Sequence, residues 1–166
     1  MLRLDRLQND IEGGKIDKGL KQLYLWVYMN KKAIISLRSF NDLDSDDIIE
    51  VVTPGEFSVI DGGFKAIYEE TELSGMSGTT TTLTILNDKL VLEREGNVSA
   101  KMDFKKGETS VSLYNTPYGV LDLQIHTEDL NVDVDENGGK ITAEYSMELA
   151  GQPPIINKLS VNVKTN

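Results

Sequence analysis

The sequence predicts an all-β protein, an antiparallel up-and-down β-barrel of about 8–10 strands with a short helical N-terminal extension. Two observations support this prediction. From residue 31 onward, apolar and polar residues alternate in short runs, as they do in strands with one buried and one solvated face. Turn-forming residues separate these runs about every 8–12 residues, which is typical of a barrel or a sandwich.

The first 28 residues follow a different period. Five apolar residues fall on one face of a helix: Ile16, Leu20, Leu23, Tyr24 and Val27. We interpret residues 1–28 as a helical leader that docks on a partner or on the barrel mouth, or as a non-native extension before a natural start at Met29. Residues 29–166 are then the β-barrel domain.

The alternation assigns ten strands and a candidate eleventh to the remaining chain. They are residues 32–40, 47–53, 56–61, 64–73, 79–86, 89–95, 98–105, 108–115, 118–135 and 139–150, with 155–164 as the eleventh. Asn137-Gly138 is the strongest hairpin signal, because both central residues of a type I′ turn need a positive φ. Short turns of this kind predict that successive strands pair, and closing the meander removes its open edges.

Composition narrows the function mainly by exclusion. The chain has 166 residues, a formal net charge of −10, no cysteine and one histidine, His126. It therefore offers no thiol chemistry, no cysteine-ligated zinc and no histidine-rich metal site, and we expect no metal or cofactor. The acidic balance argues against a nucleic-acid partner. No apolar run approaches the ~20 residues of a membrane span, and no secretory signal is evident, so we expect a cytoplasmic protein.

Strand phase singles out two charged residues. Glu70 shares a face with Phe64, Ala66 and Tyr68, and Arg94 shares one with Leu90 and Leu92. If the apolar residues point inward, the two charges also lie in the interior, where an unpaired charge costs several kcal/mol. They then pair with each other or lie at a wet rim, or Arg94 binds the anionic headgroup of a ligand.

A proline turn between two predicted strands carries two phenols and a hydroxyl. Its residues are Tyr114, Asn115, Thr116, Pro117, Tyr118 and Gly119. Tyrosine combines an apolar body with a polar tip, which suits a pocket mouth. The alternative is a structural corner in which the hydroxyl satisfies backbone groups.

Two further segments resemble sites without completing them. Residues 41–47 begin like a calcium loop, but Asp47 and Thr53 stand where that loop needs glycine and glutamate, so an acidic turn is expected. His126 alternates with polar residues and is expected to face solvent.

From about Lys31 onward the chain resembles the YwiB family of small bacterial proteins of unknown function. The residues on which the resemblance rests are Tyr68-Glu69-Glu70, Arg94-Glu95-Gly96, Phe104, the Tyr114–Gly119 segment, Thr127, Tyr145 and Leu149. The resemblance implies a calycin-like barrel related in shape to lipocalins, and it supplies no catalytic residue.

Three functions remain open at this point. The first is a barrel that binds a small, partly apolar and anionic ligand, with Arg94 on its headgroup and a polar lining formed by Glu70, Tyr68, Tyr114, Thr116, Tyr118 and Tyr145. The second is a packed interaction module whose acidic surface meets a basic protein or a second copy of the chain. The third, least favoured, is an enzyme using Glu70 as general acid or base, because no nucleophile and base pair is visible.

Overall fold

The structure is a computed structural model, and it describes residues 13, 14, 17, 19, 20, 22, 23, 30–43 and 48–166. From residue 30 onward the described chain forms ten strands and one short 3₁₀ helix, Glu72–Ser74; the described residues 19, 20, 22 and 23 are helical. The strands are β1 (Asn30–Asn41), β2 (Ile49–Ile60), β3 (Gly63–Glu69), β4 (Thr79–Ile85), β5 (Leu90–Gly96), β6 (Ala100–Phe104), β7 (Thr109–Thr116), β8 (Gly119–Asp135), β9 (Gly138–Leu149) and β10 (Ile155–Thr165). The predicted N-terminal helix falls mostly outside the described residues.

All ten strands belong to one antiparallel sheet, in the order β6-β5-β4-β3-β2-β1-β10-β9-β8-β7. The first and last strands are neighbours at its centre, paired from Ala33 opposite Thr165 to Asn41 opposite Asn157. The two ends of this sheet, β6 and β7, meet and nearly close it into a barrel. The prediction of an all-β antiparallel barrel is therefore confirmed.

Strands β6 and β7 do not form the continuous hairpin that the sequence predicts. Their backbone pairing is limited to a single bridge, in which Ser99 and Asn115 exchange hydrogen bonds of 3.0 and 2.9 Å. Farther along, serine side chains replace the backbone ladder: Ser110 Oγ donates to the Asp103 carbonyl at 3.0 Å, and Ser112 Oγ accepts from the Lys101 N–H at 3.4 Å. We call this interrupted boundary the β6–β7 seam.

The predicted strands 47–53 and 56–61 are one strand, β2, so the separation of these two was wrong and the candidate eleventh strand is β10. Proline has no N–H for a neighbouring strand, so Pro54 predicts a break. Pairing with β3 begins only at Gly55, and Pro54 pairs with Ile34 of β1 on the other side. Proline thus lies where one side of β2 has no neighbour, and the strand continues through it.

The hairpin between β8 and β9 is confirmed, but its turn is not type I′. Asp135 pairs with Gly138, so the two loop residues are Glu136 and Asn137. The positive φ, 104°, occurs at Gly138, whereas Asn137 has none. The Asp135 side chain instead accepts a hydrogen bond from the Asn137 N–H at 2.8 Å and holds the turn.

The inward faces of the strands form one continuous hydrophobic core. Its largest fully buried members are Phe57, Phe104, Ile35, Leu83, Ile85, Leu90, Ile125, Ile141 and Val161. Each such side chain contributes roughly 1.5–3 kcal/mol through its transfer from water. The two interior cavities that this core leaves open are both lined by Arg94.

Candidate functional site

Glu70 and Arg94 form an ion pair inside the barrel. The strand register places Tyr68, Thr81 and Arg94 in one row across β3, β4 and β5. Glu70 follows β3 directly, and its N–H donates to the Thr79 carbonyl at 2.8 Å, so the residue continues the inward phase. Arg94 Nε lies 3.6 Å from Glu70 Oε1, and the side chains are only 14% and 3% exposed. The sequence pattern thus correctly indicated two inward charges.

The Glu70 carboxylate is held in place by neutral groups of the same row. Thr81 Oγ1 donates to Glu70 Oε1 at 2.5 Å, and the Thr81 residue is fully buried. Burial raises the pKa of the Tyr68 phenol far above its usual range, and the nearby Glu70 carboxylate raises it further. The phenol is therefore neutral at physiological pH and stays available as a hydrogen-bond donor.

Arg94 has a hydrogen-bonding capacity that the protein does not satisfy. Its Nε atom is buried and has no hydrogen-bond partner among the described residues, because 3.6 Å to Glu70 is too long for a hydrogen bond. Burying a donor of this kind without a partner costs about 1–3 kcal/mol.

Arg94 lines two cavities of the barrel interior, and it also borders a more open groove of about 560 Å³ along the β6–β7 seam. The larger interior cavity, about 290 Å³, is lined by apolar side chains of β5, β6, β8, β9 and β10, together with Tyr114 and Tyr145. The smaller interior cavity, about 210 Å³, is lined by Glu70, Tyr68, Met76 and further apolar residues, and Arg94 lines it too. Arg94 is thus shared by an apolar chamber and by a smaller cavity that contains its ion-pair partner.

Tyr145 and Tyr114 occupy different positions around the apolar chamber. The Tyr145 ring packs edge-on against Phe104, with 4.9 Å between the centroids, and burial raises the pKa of its phenol. The Tyr114 hydroxyl donates to the Met76 sulfur at 3.8 Å. Met76 belongs to the loop between β3 and β4, so this weak contact ties that loop to the barrel wall.

The expectation that Tyr118 and Thr116 line the interior is wrong. The Tyr118 side chain is completely exposed, because it lies in the tight turn between β7 and β8. Thr116 Oγ1 donates to the Gly119 carbonyl at 3.0 Å and accepts from the Tyr118 N–H at 3.2 Å. The segment is the structural corner that the sequence analysis kept as its alternative.

Sequence reasoning missed two residues of this site. Thr81 was not singled out, although alternation along Thr79–Ile85 places it on the inward face opposite Tyr68. Met76 had no signal, because it lies in a loop whose contact with Tyr114 joins residues far apart in sequence.

The described residues offer no metal site and no membrane-spanning helix. Nowhere in residues 30–43 and 48–166, or in the few described residues before them, do three or more acidic or histidine side chains gather where they could hold a metal ion. Most of the calcium-like segment lies outside the described residues. His126 is partly exposed and contacts Thr109 at 2.8 Å. No helix in the described part of the chain is long and apolar enough to cross a membrane.

Comparison with known proteins supports the resemblance seen in the sequence. The chain is 23% identical over 137 residues to the uncharacterized β-barrel protein YwiB of Bacillus subtilis, covering 80% of this chain and 94% of that protein. The crystal structure of the B. subtilis YwiB protein superposes with a TM-score of 0.73 at 20% identity, covering 82% of this chain and 93% of that one. A family model described as a domain of unknown function, DUF1934, matches residues 35–161. The chain therefore belongs to the DUF1934 family.

Proposed function

We propose that the barrel binds a small amphipathic molecule whose acceptor group, a carboxylate, bonds to Arg94 and whose apolar part fills the adjoining chamber. The observation that supports this most directly is the buried Nε of Arg94, which has no hydrogen-bond partner among the described residues and belongs to a side chain that lines both interior cavities.

The chemistry of the guanidinium favours a carboxylate as the ligand group. Arginine has five N–H donors in a planar fork and no acceptor, so it matches a carboxylate in geometry and charge. Glu70, held by Thr81, balances the charge of Arg94 when no ligand is present. A ligand oxygen on Nε satisfies the donor that Glu70 does not reach.

The size and lining of the cavities limit the ligand. A volume of about 290 Å³ lies at the lower end of the usual range for small-molecule sites, roughly 300–1,000 Å³. The chamber is lined mainly by leucine, methionine and aromatic side chains. A medium-chain carboxylic acid fits these limits, whereas a sugar or a nucleotide would leave its polar groups unpaired.

Several expectations from the sequence stay predictions. They are the cytoplasmic location, the absence of enzymatic activity and of a cofactor, the boundary at Met29, the calycin relationship, and a homodimer or basic protein partner.

Titration with octanoate, followed by NMR, tests the proposed function. We expect octanoate to shift the methyl signals of Leu92, Met102 and Leu123, which line the apolar chamber. The double variant Arg94→Met/Glu70→Gln removes both charges together and should weaken binding about tenfold or more, since a hydrogen bond to a charged group is worth about 1.5–3 kcal/mol.

Lys101→Met is the matched control, because it removes an exposed cation from the strand next to Arg94. It should leave the octanoate affinity unchanged. Equal affinity in the double variant, or octanoate shifts confined to the outer surface, would contradict the proposal.

A further inference from the structure

Five chain connections meet at one end of the barrel. Because consecutive strands run in opposite directions, the links β1–β2, β3–β4, β5–β6, β7–β8 and β9–β10 all lie at the same end. We call this the loop end. The 3₁₀ helix Glu72–Ser74 lies there, beside the smaller interior cavity that Ser74 and Met76 help to line.

Large apolar side chains are exposed at the loop end on three separate connections. Leu73 is 82% exposed, and none of the three residues of its 3₁₀ helix is buried. Leu43 is 74% exposed on the β1–β2 link, where Ile48 and Ile49 are also exposed. The β7–β8 hairpin adds Tyr118, which is fully exposed, and Val120, which is 60% exposed. Several large apolar side chains exposed at the same end of a protein are typical of a surface that another molecule covers.

Four glutamates lie within two residues of a strand terminus at the loop end. Glu50 is the second residue of β2, opposite Arg38 of β1, whereas Glu69, Glu95 and Glu148 occupy the last two positions of β3, β5 and β9. None of these four glutamates forms an ion pair with another described residue, unlike Glu56, Glu93 and Glu144 farther along the barrel wall.

We propose that the loop end docks a protein segment in which apolar residues are flanked by lysine or arginine. The apolar residues of the partner would cover Leu73, Val120 and their neighbours, and its cations would meet the unpaired glutamates. Complementary charge of this kind favours encounter and fixes register. The overall charge of −10 also favours a partner that carries positive charge.

Charge also disfavours two other molecules that could cover such a surface, a second copy of this chain and an anionic membrane. A two-fold dimer through the loop end would bring the glutamates of both copies together, and like charges across an interface cost several kcal/mol. An anionic membrane surface repels an acidic rim, since membrane-surface proteins carry basic residues there.

A synthetic peptide of alternating leucine and lysine is the probe, added to the full-length protein and followed by NMR and calorimetry. We expect it to shift the amide signals of Leu73 and Val120. The variant Leu73→Ser/Val120→Ser should weaken binding about tenfold, which corresponds to about 1.4 kcal/mol. The matched control, Ile34→Ser/Val111→Ser, changes exposed apolar residues that lie inside β1 and β7, at least five residues from the loop end of each strand, and should bind as the wild type does.

Each alternative has its own outcome. Absence of peptide binding, equal weakening in both variants, or equal binding of a leucine–glutamate peptide overturns the proposal. A sedimentation dimer that Leu73→Ser/Val120→Ser dissociates would identify a second copy as the occupant, and binding to phosphatidylcholine vesicles would identify a lipid surface. Octanoate binding at Arg94 is measured separately, so the two proposals fail independently.

Discussion

At the scale of single residues, the Arg94–Glu70 pair has to be explained by more than stability. A buried ion pair often contributes no more than hydrophobic residues of similar volume, because both charges lose their hydration. Its geometry here is also imperfect, since Nε lies 3.6 Å from the carboxylate oxygen. An interior that only needed to be filled would not require this pair, whereas the proposed binding of a carboxylate at Arg94 gives the pair a role.

Removing one member of the pair should be costly, and removing both should not. We expect Arg94→Met to lower the free energy of unfolding by about 3–5 kcal/mol, because Glu70 then stays buried without its cation. Arg94→Met/Glu70→Gln should recover most of that loss. Urea unfolding measures both variants, and a single variant as stable as the wild type would contradict a buried pair.

The raised pKa of Tyr68 predicts a loss of stability at alkaline pH. Above about pH 10 the unfolded chain releases its phenolic proton while the folded protein keeps it, so unfolding becomes easier as pH rises, by up to about 1.4 kcal/mol per pH unit. Tyr68→Phe should flatten this part of the profile of unfolding free energy against pH. Tyr118→Phe changes an exposed phenol and should keep the wild-type slope; identical slopes in Tyr68→Phe and wild type would refute the assignment.

Alternation along strands was enough to predict which residues point inward, but not which loop residues do. Glu70 and Arg94 followed from their phase with apolar neighbours. The direction of Tyr118 depends on the turn between β7 and β8, where the period of two ends. Its aromatic character suggested a pocket, and its position in the turn exposes it.

At the scale of elements, the β6–β7 seam is the weakest boundary of the barrel. The other neighbouring strands share backbone ladders of at least five register pairs, such as the ten pairs of β10 with β9. Across the seam, serine hydroxyls provide hydrogen bonds in place of the backbone. The sequence could not show this, because the short turn at Lys106-Gly107 is equally compatible with a continuous hairpin.

Removing the two serine hydroxyls should loosen the seam locally. In Ser110→Ala/Ser112→Ala we expect the Lys101 amide to exchange its hydrogen about fivefold faster, corresponding to a lost hydrogen bond of about 1 kcal/mol. Hydrogen exchange followed by NMR measures this. Ser36→Ala, within the ladders of β1 with β2 and β10, is the control. Unchanged exchange at Lys101 would show that the serines do not hold the seam.

Proline and glycine predicted strand boundaries less well than the alternation of apolar and polar residues did. Thr53-Pro54-Gly55 looked like a break, yet β2 continues because β3 does not reach past Gly55. A side chain at Gly55 would approach the Ile67 carbonyl to 2.5 Å, so this glycine is needed for close strand packing rather than for a turn.

At the scale of the whole molecule, closure follows from pairing the first strand with the last. The sequence predicted that a meander of this many strands closes, because open edges invite aggregation. It could not predict that β1 and β10 form a regular ladder while the interruption falls between β6 and β7. The position of the interruption depends on the twist and stagger of the complete sheet.

The net charge of −10 predicts that salt stabilises the protein. Self-repulsion among the excess carboxylates weakens as ions screen it, whereas the exposed ion pairs lost to screening are worth only about 0–1 kcal/mol each. We expect the melting temperature to rise with potassium chloride, by about 2–4 °C for each 1 kcal/mol gained. A melting temperature that falls with salt would mean that the surface ion pairs dominate.

The central claim is that the barrel holds a small molecule at Arg94, and native mass spectrometry of protein purified gently from its own cells tests it most directly. The masses before and after denaturation should differ by a reproducible small-molecule mass. This difference should disappear in Arg94→Met/Glu70→Gln and persist in Lys101→Met. A bare protein mass in every sample, or a bound mass that the double variant retains, would contradict the account.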